Sequence, residues 1–142
     1  MPPHLRDKMV LHGVMVIVIG LLAGFFWTFV LWGMMDGSER QWRMAHLEGI
    51  LNGLLVLALA AFSERFRLSP RWHARLAWLL ILTAYGNVLA SILGAWWGVR
   101  GLNPFSPLTN TVVFLLFAVA LVTVLVALVV ALIGIRRAAL QR

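Results

Sequence analysis

Four stretches of this chain are nearly free of charge, and each is long enough to cross a lipid bilayer. They cover residues 9–33, 43–63, 75–99 and 108–135, where a crossing helix needs about 20 apolar residues. Backbone inside hydrocarbon must satisfy its own hydrogen bonds, so these segments are expected to be helices. A closed barrel would show short alternating strands, and none are visible. Arg100-Gly101-Leu102-Asn103-Pro104-Phe105-Ser106-Pro107 separates the last two stretches and reads as a turn. The expected fold is all-α: one integral membrane four-helix bundle spanning residues 1–142. Composition agrees, because 62% of residues are apolar and 12% charged, whereas a soluble domain carries about 25% charge. The absence of cysteine excludes disulfides, thiolate metal sites and cysteine nucleophiles.

The basic residues set an orientation. Arg6, Lys8, Arg65, Arg67, Arg71, Arg75, Arg136, Arg137 and Arg142 fall on one side of the four spans, against Arg40, Arg43 and Arg100 on the other. The positive-inside rule places the first set, with both termini, in the cytoplasm. A net charge of +7 is therefore read as membrane topology and headgroup attraction rather than nucleic-acid binding. Trp32, Trp42, Trp96 and Trp97 at one end, and Trp72 and Trp78 at the other, are expected to form two interfacial belts. The first apolar run exceeds the roughly 7–15 residues of a signal-peptide core, so it is read as an uncleaved span.

Polar residues inside spans are candidates for function. The second span holds most of them, in Trp42-Arg43-Met44-Ala45-His46-Leu47-Glu48-Gly49-Ile50-Leu51-Asn52-Gly53. At about 100° per residue, His46, Gly49 and Gly53 share one arc, while Asn52 and Glu48 occupy a neighbouring one. Gly49 and Gly53 form a G-x-x-x-G pair that permits close approach by a helix or a flat ligand. Two readings stand side by side. In one, these residues only pack helices. In the other, His46 is a metal or haem ligand beside a glycine-floored slot, since imidazole suits iron. His12, near the opposite end of the first span, is expected at a different depth and so to be a hydrogen-bonding or propionate partner rather than a second axial ligand. His4 and His73 lie in basic flanks and are read as solvated. The third span adds Tyr85, Asn87 and Ser91, with Asn87 and Ser91 one turn apart on one face; Tyr85 and Asn87 are candidates for a polar pocket. The fourth span carries no chemistry and reads as a lipid- or oligomer-facing wall. Nucleotide-binding glycine motifs, His-Glu-x-x-His and a nucleophile elbow are all absent.

These residues together resemble the styrene oxide isomerase family. The likeness runs through Lys8-Met9-Val10-Leu11-His12-Gly13, Ala45-His46, Leu51-Asn52-Gly53, Asn87-Val88 and Arg100-Gly101-Leu102. It implies a four-helix enzyme of the bacterial cytoplasmic membrane, assembled as a homotrimer with haem b at its subunit interfaces. It further implies His46 as the axial ligand, Asn52 as the residue orienting an epoxide, and ferric iron as a Lewis acid. A small hydrophobic epoxide would open, a hydride would shift to the neighbouring carbon, and an aldehyde would leave without net redox change. His46 and Asn52 diverge by about 120° on a helical wheel, which fits a site shared by two protomers. The family's third-helix tyrosine falls on Ser91, a side chain too short to reach where a phenol would. The loop over residues 34–41 is also shorter than the family's. The competing expectation is a non-catalytic haem-binding sensor or carrier in the same fold; a haem-free assembly factor and an electron-transfer cytochrome follow.

Overall fold

The computed structural model describes residues 1–140; Arg142, counted above on the basic side, lies outside them. Four helices follow one another: α1 (Pro3–Leu31), α2 (Glu39–Ala61), α3 (Pro70–Trp97) and α4 (Leu108–Ala139), with a 3₁₀ turn at Ser63–Arg65. There is no strand among the described residues, and all four helices are long and apolar enough to cross a membrane. The protein is a multi-pass membrane protein.

The helices start earlier than the hydropathy does, because hydropathy marks the lipid span and not the helix. Proline occupies the first turn of α1 and of α3, where its missing N–H costs nothing. Ser38 caps α2, accepting from the Gln41 amide at 3.4 Å, with Glu39 beside the positive helix end. The stops of α1 and α3 need left-handed backbone: Gly33 and Gly98 both have φ of 67°, a conformation glycine adopts without strain. Arg136 and Arg137 in the last turn of α4 complement its dipole.

α1 packs most extensively on α2, and α3 on α4; α2 and α3 join the two pairs. Without a hydrophobic drive inside lipid, close packing must come from small residues. A Cβ on Gly20 would lie 2.7 Å from the Cα of Gly49, and one on Gly53 would lie 2.6 Å from the carbonyl oxygen of Gly13. Those four glycines let α1 and α2 touch backbone to backbone. In the other pair, Gly86 faces Ala120, and the buried Thr83 hydroxyl meets that of Thr123 at 2.8 Å. A shared core of Met9, Val16, Val56, Leu76, Leu80 and Val88 fills the centre. Only 17% of the apolar window of α1, and the same share of α4, is buried. Leucines, valines and phenylalanines cover the remainder, a surface that water would not tolerate and lipid does.

The aromatic belts need one correction. Trp32, Trp96, Trp97, Trp72 and Trp78 are exposed, but Trp42 is 2% exposed. It stacks on Phe26 at 5.0 Å and meets Trp96 edge-on at 6.2 Å, so it locks α1, α2 and α3 together. At the basic end, Lys8 lies over Trp78 at 4.7 Å and Arg75 over Trp72 at 4.6 Å.

Candidate functional site

α2 presents polar side chains in two directions. On its α1 side stands His46, half-buried. Its Nδ1 lies 2.9 Å from the carbonyl oxygen of Gly20; a carbonyl only accepts, so Nδ1–H is the donor, and in the corresponding neutral tautomer Nε2 is the nitrogen with the lone pair. The approach is possible because α1 has glycine one turn further on: a Cβ at Gly24 would fall 2.7 Å from Nδ1. Trp27 flanks the ring, centroids 5.9 Å apart at 37°, and its buried indole N–H has no partner. Nε2 makes no hydrogen bond to any described residue. A histidine tethered through one nitrogen to a backbone carbonyl, with the other left open, is the arrangement of metal-bound imidazoles.

Gly49 and Gly53 depart from expectation. They are filled by the backbone of α1 and by Ile17, so no slot opens over them, and the helix-packing reading holds for this pair. The glycines that matter to His46 are Gly20 and Gly24 of α1, which a search along one helix could not find. His12 stands at a different depth from His46, as its place in the first span implies, and makes a hydrogen bond there. It lies eight residues before Gly20, roughly 12 Å along α1, and its Nδ1 meets the Tyr85 hydroxyl at 3.0 Å. Tyr85 therefore belongs with His12 and Met15 between α1 and α3, and lines no part of the cavity described below. His73, read as solvated, is 6% exposed with its Nε2 buried and unpartnered at the head of α3.

The other polar face of α2 meets α3. Asn52 is 7% exposed and donates from Nδ2 to the Glu48 carbonyl at 2.9 Å and to the Glu48 carboxylate at 2.7 Å. Its Oδ1 accepts from Asn87 Nδ2 at 3.1 Å. Sequence reading placed Asn52 and Asn87 in the site, and the fold brings them into contact. It passed over Glu48 as a site residue, although the one-turn spacing to Asn52 was its signal.

A cavity of about 500 Å³ opens beside this network at the end of the bundle carrying the α1–α2 loop. Glu48, Ser91, Gln41, Met44, Arg100 and Phe117 are among the side chains lining it, and its volume suits a small organic molecule. Gln41 fixes the rim, donating from Nε2 to the carbonyls of Gly94 and Val99 at 3.2 and 2.7 Å. His46 does not line this cavity, nor do Asn52 and Asn87.

Among the described residues no three His, Asp or Glu side chains cluster to hold a bare ion. The donor set fits a group that brings its own equatorial ligands and asks the protein for one imidazole.

Comparison with known proteins gives these features a context. The family profile of styrene oxide isomerase matches residues 5–136. Hydroxylaminobenzene mutase HabA of Ectopseudomonas oleovorans is 30% identical over 134 residues, 88% of this chain and 94% of HabA. Hydroxylaminobenzene mutase HabB of the same organism is 29% identical over 97 residues, 68% of this chain. That match spans 56% of HabB, little more than half its length. Isomerase-type chemistry is common to the family and to both relatives by name. With four spanning helices and a profile match over nearly its whole length, this chain belongs to the styrene oxide isomerase family.

Proposed function

We propose that the protein is a haem-b isomerase of the bacterial cytoplasmic membrane, with its termini in the cytoplasm, acting on a small hydrophobic molecule with a labile bond to oxygen. The observation that carries this reading is the tether from His46 Nδ1 to the Gly20 carbonyl, which leaves Nε2 as the single protein ligand. Haem b, when bound, supplies a Lewis-acidic ferric iron with one site open to substrate.

The chain's own residues do the rest. His46 and Gly20 fix the ligand's direction. The Glu48–Asn52–Asn87 network holds a polar wall of the cavity rigid. Met44 and Phe117 make other walls apolar, favouring a ligand that partitions from the bilayer. His46 and the cavity occupy different faces of α2; in the homotrimer that the family resemblance implies, a complete site would take His46 from one protomer and the cavity from the next.

The family name favours an epoxide opened to an aldehyde. The names of both relatives favour a second substrate, an arylhydroxylamine rearranged by cleaving its N–O bond. Protein purified after growth with ample haem is expected to show a Soret band that His46→Ala abolishes, and to convert styrene oxide or hydroxylaminobenzene to an isomer. A wild-type protein without that band would end the haem reading; a haem-loaded one inert toward both compounds would end the isomerase reading.

A further inference from the structure

We infer that Glu48 is the specificity-determining residue of the cavity and selects a substrate that donates a hydrogen bond, an arylhydroxylamine over an epoxide. The inference rests on the isomerase reading above and assigns its substrate class.

Hydrogen-bond direction carries the argument. The Asn52 amide has two hydrogens, and both go to Glu48, one to its carbonyl and one to its carboxylate Oε2. Its oxygen is taken by Asn87. Asn52 therefore has no hydrogen left for an epoxide oxygen, and it is a positioning residue. Glu48 does line the cavity. With Oε2 held by Asn52, Oε1 has no partner among the described residues and is the acceptor offered to a ligand.

An epoxide oxygen only accepts. Set against Glu48, it leaves two acceptors facing each other and both unpaired. An arylhydroxylamine carries N–H and O–H, either of which satisfies Oε1. Sites that hydrogen-bond a substrate group discriminate strongly against an analogue lacking it, because their own polar atom is then stranded.

Glu48→Gln isolates the effect at nearly constant shape. Asn52 Nδ2 would hold the new amide's oxygen, so its NH₂ would face the cavity where an acceptor had been. In haem-loaded protein reconstituted in lipid nanodiscs, kcat/KM for hydroxylaminobenzene is expected to exceed that for styrene oxide by about 100-fold, and Glu48→Gln to reduce that ratio by about 100-fold. An unchanged Soret band in the variant shows that it is folded and loaded. A second arm needs no turnover: calorimetric binding of aniline, a donor, against anisole, which only accepts. Wild type is expected to prefer aniline and Glu48→Gln to lose that preference. Equal ratios in wild type and variant, or a wild type preferring anisole, would overturn the assignment. Should neither substrate react, the isomerase reading fails by itself, and the aniline–anisole comparison still decides the role of Glu48.

Discussion

Gly24→Ala is the sharpest test of how His46 is held. The added methyl would sit 2.7 Å from His46 Nδ1, 3.1 Å from Cε1 and 3.4 Å from Cγ. Reaching ordinary contact requires the ring to retreat by about 0.7 Å, which lengthens the Nδ1 contact with the Gly20 carbonyl from 2.9 Å to at most about 3.6 Å, where a hydrogen bond is lost. Losing such a tether costs a metal-ligating histidine roughly 10–100-fold in affinity. Nothing else should suffer. Gly24 is in the interior of α1, where alanine is the better helix former by about 1 kcal/mol. The variant is therefore expected to keep its helical circular dichroism and melting temperature. Haem titration into the apoprotein, followed at the Soret band, should show affinity reduced by a factor within that range. Affinity within about threefold of wild type would refute the argument that the Gly20 tether organises the ligand. A variant that fails to insert would mean that Gly24 serves packing instead.

Two further substitutions separate structure from chemistry. Gly49→Ala drives a methyl into the Gly20 backbone; it is expected to destabilise the bundle by about 1–3 kcal/mol, measured by denaturation in mild detergent, with no compensating rotamer available. Tyr85→Phe removes the 3.0 Å contact with His12, and is expected to cost about 0.6 kcal/mol of stability while leaving haem loading and turnover at wild-type values; loss of turnover would restore Tyr85 to the site.

Hydropathy made the four spans legible because lipid imposes one demand on every exposed residue, and α1 and α4 meet it along nearly their full length. Helix ends were less legible, since Arg6, Asp7 and Lys8 continue α1 without adding to its apolar run. Pairing between helices was not legible. The G-x-x-x-G of α2 was visible, but whether a helix or a ligand lay on it depended on Gly13 and Gly20 of α1, some 30 to 40 residues away. Trp42 shows the same limit: an interfacial position in sequence says nothing of whether the ring turns outward to headgroups or inward to Phe26 and Trp96. His12 and Tyr85, taken singly, each resembled a site residue; their mutual bond shows that each answers the other's need for a partner inside lipid.

Glu48 was hidden by a different cause. Its spacing from Asn52 was plain, yet spacing does not state which way an amide points. Only the position of Asn87 on α3 does that: by taking the Asn52 oxygen, Asn87 turns both amide hydrogens toward Glu48 and leaves one carboxylate oxygen for the cavity. α2 is thus worked from two sides. α1 presses on it through glycines and fixes His46, while α3 reads out the direction of Asn52 and through it the polarity of the cavity. A change on the α1 side should alter what His46 holds without altering what the cavity prefers, and a change at Asn87 should do the reverse. The proposed division of the site between neighbouring protomers calls for that independence, because each protomer would then present two half-sites on separate faces.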